Sequence, residues 1–175
     1  MAINLEMIKK LRELSGASIS DCKDALEKAD YNLDKAMEFL RKRGLEIAEE
    51  KKDRKVSEGR IEAYVHPGNK IGVLVEVNCE TDFVARNQDF IRFVRDIALQ
   101  ITGLQPRYIK REDIPPQELE SHKEDLEDFV RNSCLLEQAF IKNPSITIKD
   151  YLADLVAKIR ENIVIRRFVI YKLGE

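Results

Sequence analysis

The chain has 175 residues, which is enough for one or two domains with a buried core. Basic and acidic side chains nearly balance, 30 against 32, so the basic excess that is typical of nucleic-acid-binding domains is missing. Three widely spaced cysteines favour reduced thiols over a disulfide framework. With no signal-peptide pattern and no apolar run near the ~20 residues of a bilayer span, we expect a soluble cytoplasmic protein without direct nucleic-acid or membrane contacts.

The first 45 residues predict three short helices separated by tight turns. Helical spacing places apolar residues on one side of each segment. These residues are Ile3, Met7, Leu11 and Leu14, then Ile19, Cys22, Ala25, Leu26 and Ala29, then Leu33, Ala36, Met37 and Leu40. Gly16 fits the end of the first helix, and Ser18 and Asn32 are suited to cap the next two. We therefore predict a three-helix bundle over residues 1–45.

Residues 46–58 are mostly charged and predict a solvated helical extension or linker, where we place a domain boundary. Residues 59–66 and 71–79 are typical of two strands joined by a Pro-Gly-Asn-Lys turn, which together form a β-hairpin. The second strand is rich in valine, so we expect it to be central in a sheet and covered by helices.

Helical spacing continues in residues 87–103, 118–132 and 147–162, and residues 163–173 predict a long closing strand. Residues 59–175 therefore form one core domain. The predicted fold class is α+β, with a three-helix bundle followed by about three antiparallel strands layered with helices.

The turn after the second strand carries Thr81, Asp82, Phe83 and Val84. Thr81 or Asp82 could cap a helix that runs through Phe83; alternatively, Asn87 is the cap and the preceding residues form a loop. Local spacing leaves open whether Phe83 is buried or is presented to a partner.

Catalytic and metal-binding patterns are weak in this sequence. Cys79 with His66 is the one plausible pair of nucleophile and base, and no third residue supports it. Glu80 and Asp82 could hold a magnesium ion, but two carboxylates on one turn are more often caps or solvated groups. His66 and His122 lie far apart, no cysteine has a partner at zinc spacing, and no glycine-rich phosphate loop occurs. We expect no enzyme, metal or cofactor, and a protein that acts by contacting a partner.

Three motifs are distributed over nearly the whole chain. They are Leu11-Arg12-Glu13 with Ser15-Gly16-Ala17 and Asp21-Cys22-Lys23, then Asn78-Cys79-Glu80-Thr81-Asp82-Phe83-Val84-Ala85-Arg86-Asn87, then Glu161-Asn162-Ile163-Val164-Ile165-Arg166-Arg167. These motifs resemble, in the same order, those of the bacterial translation elongation factor Ts family. The second motif is ten residues of mixed chemistry, which makes chance agreement very unlikely.

The resemblance implies a guanine nucleotide exchange factor for elongation factor Tu, the GTPase that carries aminoacyl-tRNA. It implies that the three-helix module is similar to ubiquitin-associated domains and docks on the GTPase, with Arg12, Ile19 and Ser20 on the docking face. The turn from Thr81 to Val84 would disturb the magnesium and phosphate site of the GTPase, with Asp82 beside the ion. Phe83 would be the wedge, and this role favours an exposed ring.

The chain also departs from the family's pattern. Ser20 stands where a larger apolar residue is common in the family. Arg160 replaces a glycine and Ala139 replaces a frequent proline. The segment at about residues 118–134 is shorter than the corresponding segment of other family members. Since the chain has one core unit, analogy with short family members predicts a homodimer through the final strand, and hence a heterotetramer with the GTPase. The alternative function is a non-catalytic adaptor that binds a GTPase or another partner through the three-helix module.

Overall fold

The structure is a computed structural model that describes residues 5–175. Its helices and strands are, in chain order, α1 (Leu5–Ser15), α2 (Ile19–Lys28), α3 (Leu33–Lys51), β1 (Glu58–Val65), β2 (Ile71–Cys79), α4 (Asp82–Ala85), α5 (Gln88–Leu104), α6 (Pro116–Ser121), α7 (Leu126–Ser133), β3 (Ala139–Phe140), β4 (Asn143–Thr147), α8 (Ile148–Ile159) and β5 (Ile163–Lys172). The fold class is α+β, as predicted. Residues 5–54 with Ala153–Asn162 form one compact unit, and Lys55–Leu152 with Ile163–Glu175 form the other.

The first unit is built around the three predicted helices. Its core contains Ile8, Leu11, Cys22, Ala25, Leu26, Ala29, Ala36 and Leu40. The predicted caps are present, since Ser18 Oγ accepts a hydrogen bond from the Asp21 amide at 3.1 Å and Asn32 Oδ1 accepts one from the Lys35 amide at 3.0 Å. Each cap satisfies an amide that would otherwise lack a partner in the first turn.

Two expected core positions of this unit are wrong. Leu14 and Ile19 are exposed, whereas Ile8, which the sequence pattern did not select, is buried. Ile8 and Leu14 lie about 120° apart around α1, on either side of Leu11, so one contact face cannot cover both. Ile3 lies outside the described residues.

Residues from the second half of α8 and just beyond it complete this unit. A Cβ built on Gly44 of α3 would lie 3.5 Å from the carbonyl oxygen of Ala153, which shows how closely the two helices approach. The buried side chain of Asn162 donates hydrogen bonds to the carbonyl oxygens of Lys52 at 3.1 Å and Arg54 at 2.8 Å. Asn162 therefore supplies the partners that carbonyls at the end of α3 need. Because α3 continues to Lys51, it includes the first residues of the charged extension.

The second unit contains an antiparallel sheet with the strand order β1-β2-β5, so β2 is central as predicted. Helix α5 packs against β1 and β2. The valines at 73, 75 and 77 point from β2 into the core, and α5 contributes Phe90, Phe93, Val94, Ile97, Ala98 and Ile101, all fully buried. On β2 the side chains alternate, and Leu74, on the opposite side of the strand from the three valines, is partly exposed.

The segment between α5 and α8 differs from the prediction. Instead of one helix over 118–132 there are two, α6 and α7, because the charged run has only a thin apolar side and breaks at residues 122–125. At this break the His122 ring stacks on Phe129 with centroids 3.9 Å apart. The short β3–β4 pair was not predicted. It is held by Gln100, whose buried amide donates to the Ala139 carbonyl at 3.0 Å and accepts from the Ile141 amide at 2.8 Å.

Among residues 5–175, no helix is both long enough and apolar enough to cross a membrane.

Gly59 generates a stability prediction, because it lies opposite Asn78 with a positive φ of 149°. A Cβ at this position would lie 2.3 Å from the Val77 carbonyl oxygen. We expect Gly59→Ala to lower the free energy of unfolding by about 3 kcal/mol, measured by urea denaturation. The control is Gly72→Ala, where the nearest atom would be 3.9 Å away, and we expect a change below about 1 kcal/mol. Equal effects of the two substitutions would contradict this explanation.

Candidate partner-binding site

The turn that follows β2 is a short helix, α4, and it is separated from α5 by two residues. Thr81 caps α4, with its Oγ1 accepting a hydrogen bond from the Val84 amide at 3.4 Å. Asn87 caps α5, with its Oδ1 accepting from the Asp89 amide at 2.7 Å. The sequence left two alternatives open, a cap at Thr81 or Asp82 and a cap at Asn87. The structure has a cap at Thr81 and a second cap at Asn87, and each of them starts a separate helix.

Phe83 and Val84 occupy opposite environments on this turn. Phe83 is 81% exposed, whereas Val84 is 9% exposed and anchors α4, which packs against β1 and β2. The structure therefore answers the question that the residue spacing left open: the aromatic ring is presented to solvent. An exposed aromatic ring on an ordered turn is available for contact with a partner.

The backbone beneath Phe83 is fixed by several hydrogen bonds. The buried Cys79 thiol donates to the Thr81 carbonyl at 3.2 Å. The Arg86 amide donates to the carbonyls of Asp82 at 3.2 Å and Phe83 at 3.3 Å, and the Asn87 amide donates to Val84 at 2.9 Å. The ring is therefore carried by an ordered turn, which lowers the entropy cost of offering it to a partner.

Asp82 is paired with Arg86, a residue that the sequence reasoning did not select. Asp82 Oδ2 lies 3.0 Å from Arg86 Nη2, and the two side chains are 46% and 79% exposed. An acid followed four residues later by a base on a helix is the signal that could have found this pair. Surface pairs of this kind are weak, so Asp82 can exchange Arg86 for another cation at low cost.

The suggested pairing of Cys79 with His66 as nucleophile and base is wrong. His66 lies beside Ile71, to which its amide donates at 2.9 Å, whereas Cys79 ends the same strand. Eight residue steps along a strand correspond to about 26 Å, far beyond a hydrogen bond. Burial also raises the pKa of Cys22, and raises that of Cys134 to about 11, so these two sulfurs stay protonated at neutral pH.

The described part of the chain contains no group of three or more His, Cys, Asp or Glu side chains that could hold a metal ion. At the turn, the acids are Glu80 and Asp82, and Asp82 is engaged by Arg86.

The three residues of the expected docking face belong to the first unit. Arg12 lies in the last turn of α1, and Ile19 and Ser20 begin α2; all three are exposed, Ile19 to 59%. Gly16 makes the turn between the helices with a φ of 68°, and its amide donates to the Arg12 carbonyl at 2.8 Å. The structure therefore places the predicted docking residues on the two helix ends that flank one turn.

Comparison with known proteins gives a consistent result. The family model described as elongation factor TS matches residues 4–128. The chain belongs to the elongation factor Ts family. Elongation factor Ts of Carboxydothermus hydrogenoformans is 48% identical over 99% of this chain and 90% of its own length. The proteins of Caldanaerobacter subterraneus subsp. tengcongensis and Heliobacterium modesticaldum are each 44% identical over 99% of this chain, and over 98% and 91% of their own lengths.

Membership in the elongation factor Ts family makes the chain a translation elongation factor and confirms the resemblance carried by the three motifs. These matches extend over 195 aligned positions, more than the 175 residues of the chain. This chain therefore lacks residues that those relatives have. That the gap falls within residues 118–134 stays a prediction.

The opposite burial of Phe83 and Val84 generates a prediction about stability. Since Phe83 stays in solvent after folding, we expect Phe83→Ala to change the free energy of unfolding by less than about 0.5 kcal/mol. Val84→Ala removes buried methyl groups and should lower it by about 1–2 kcal/mol. Chemical denaturation followed by circular dichroism measures both. A large loss for Phe83→Ala would mean that the ring packs against its own chain.

Proposed function

We propose that this chain is a guanine nucleotide exchange factor for elongation factor Tu and that Phe83 is the group that opens the nucleotide site of the GTPase. The observation that carries the proposal is the 81% exposure of Phe83 on an ordered turn in a member of the elongation factor Ts family. An aromatic ring with few rotamers on a fixed backbone can insert into a pocket with little loss of entropy.

The mechanism is differential binding rather than covalent chemistry. GDP in the GTPase is held by a magnesium ion and by backbone donors around its phosphates. A factor that binds the open, nucleotide-free state more tightly than the loaded state shifts the population towards release. Moving a two-state equilibrium from 1:99 to 99:1 requires about 10⁴-fold tighter binding to the favoured state, so a wedge and a separate docking face must act together.

In this proposal each residue of the turn and of the docking face has its own role. Phe83 enters the GTPase as the wedge. Asp82 leaves Arg86 and acts beside the magnesium ion of the GTPase. Thr81 and Val84 hold the turn in shape. The docking residues at 12, 19 and 20 keep the wedge in place while the GTPase opens. Chemistry at a nucleophile has no part in this cycle, and the cycle runs where translation does, in the cytoplasm.

The experiment is stopped-flow release of fluorescent GDP from elongation factor Tu, with varied concentrations of this chain. Loss of a central aromatic contact costs about 2 kcal/mol, so we expect Phe83→Ala to lower the second-order rate constant for GDP release about 30-fold. Asp82→Asn should lower the maximal rate, because the neutral amide no longer competes for the ion.

Two substitutions serve as matched controls. Leu104→Ala removes another exposed apolar side chain, and Asp128→Asn removes an acid that is paired with Arg131 at 3.4 Å in a similar exposed pair. With either variant, we expect GDP release from elongation factor Tu at the same rate as with the unmodified chain. Normal acceleration by folded Phe83→Ala would refute the wedge. Tight binding to the GTPase with no acceleration by the unmodified chain would favour the adaptor instead.

The proposal includes a homodimer that forms through the uncovered face of the sheet. On this face Leu74 is flanked by Ala63 of β1 and Val169 of β5, and Ile61, Val65 and Tyr171 extend the apolar surface. A groove of about 300 Å³ runs between these strands. One ion pair lies on this face: Arg167 donates to Glu76 at 2.7 Å and holds the pKa of that carboxyl below its usual value.

A second copy fits this face because two twisted antiparallel sheets stack with their apolar faces together. The pair Glu76–Arg167 carries no net charge into such an interface. Since β5 contributes Val169 and Tyr171, the final strand lies within it, and with two GTPase molecules bound the assembly is the predicted heterotetramer.

Light scattering coupled to size-exclusion chromatography tests the dimer. We expect Leu74→Lys with Val169→Lys to give monomers, because two buried ammonium groups without partners cannot be accommodated. Leu104→Lys, which adds a charge at an exposed site on α5 outside the sheet, should remain dimeric. A double variant that is folded and still dimeric would exclude this face and leave the free edge of β5 as the contact.

A further inference from the structure

Arg160 has an unusual conformation for a residue with a side chain. It follows α8 with a positive φ of 67°, and its amide donates to the Val156 carbonyl at 2.8 Å. This left-handed conformation at the end of a helix is usually taken by glycine, because a Cβ is disfavoured there.

The guanidinium of Arg160 reaches the start of α2. Its Nη2 lies 2.6 Å from Asp21 Oδ2, and the two side chains are 45% and 24% exposed. The same carboxylate oxygen accepts a hydrogen bond from Ser18 Oγ at 2.6 Å, and the Asp21 amide donates back to that Oγ at 3.1 Å. Asp21 is therefore held by the cap of α2 on one side and by Arg160 on the other.

The turn between α1 and α2 is contacted by the same part of the chain. A Cβ on Gly16 would lie 3.2 Å from Cδ of Lys158, so the Lys158 stem passes directly over this turn. Lys158 thus lies over one end of the segment from Gly16 to Asp21, and Arg160 binds the other end. This segment contains Ile19 and Ser20 of the docking face.

Net stability does not explain the arrangement. A left-handed conformation of a residue other than glycine is unfavourable, and a partly exposed ion pair contributes no more stabilisation than that conformation costs. The effect of the ion pair between Arg160 and Asp21 is therefore on orientation: it fixes the direction in which the first turn of α2 points.

We propose that Arg160 is a positioning residue for GTPase docking, which acts through Asp21 on the exposed first turn of α2. The inference rests on the proposed exchange function. Ile19 and Ser20 contact the partner, and Arg160 keeps them oriented before the encounter. Preorganisation of this kind lowers the cost of binding without adding a contact.

The informative substitution is Arg160→Gly, since it removes the ion pair and relieves the backbone at once. We expect an unchanged free energy of unfolding, and a KM for the GTPase–GDP complex that is raised about five-fold at an unchanged maximal release rate. Arg160→Lys should recover part of the KM. Asp21→Asn should raise it similarly, with no further increase in the double variant, because both changes break one interaction. Arg131→Gln, an exposed arginine of α7 that pairs with Asp128, is the control with normal KM.

Hydrogen exchange of the amides in residues 19–24 gives an independent measurement. Arg160→Gly should exchange faster there while α3 is unchanged. Unchanged exchange, or a normal KM for this variant, would overturn the positioning role. If the unmodified chain does not accelerate GDP release, the proposed function fails, and the exchange measurement still decides whether Arg160 orders α2.

Discussion

Pairing of the central strand β2 on both of its edges is the constraint on which the candidate site depends. Cys79, the last residue of β2, is opposite Glu58 of β1 and Ile163 of β5, so the chain leaves the sheet at a point fixed from two sides. Close approach at Gly59 and the α5 side chains behind β2 allow little adjustment there. The turn that carries Phe83 begins one residue later. Its position is therefore set by sheet geometry and not by the loop itself.

In the proposed exchange mechanism, an ordered turn lowers the entropy cost of inserting Phe83 into the GTPase. The contacts around the turn provide this order: the Cys79 thiol and the Thr81 hydroxyl satisfy backbone groups within the turn, and Val84 fills the core below it. The motif from Glu161 to Arg167 also fixes the backbone around it. Asn162 satisfies carbonyls near the end of α3, and Ile163 starts the strand that pairs with Cys79.

Features that depend on neighbouring residues in the chain could be predicted from the sequence. Features that depend on which side of a helix the rest of the fold covers could not. The α+β class, the central position of β2 and the caps at Ser18 and Asn32 follow from β-branched runs and side chains that satisfy local amides. The choice of Ile8 over Leu14 depends on which side of α1 the other helices cover, and spacing alone does not contain that information. The division of 118–132 and the short β3–β4 pair depend on isolated contacts, such as those of the Gln100 amide, which have no periodic signature.

The exposure of Phe83 shows why spacing alone could not decide whether this ring is buried or exposed. Phe83 and Phe90 are seven residues apart, so one continuous helix would put both rings on the same side, and Phe90 is fully buried. The backbone of Asn87 is extended, with φ −68° and ψ 137°, and this single residue breaks the helix between them. Its side chain then caps α5, which stabilises the break. An asparagine that satisfies the start of α5 thereby separates the two helices, and the aromatic ring of α4 stays in solvent while that of α5 is buried.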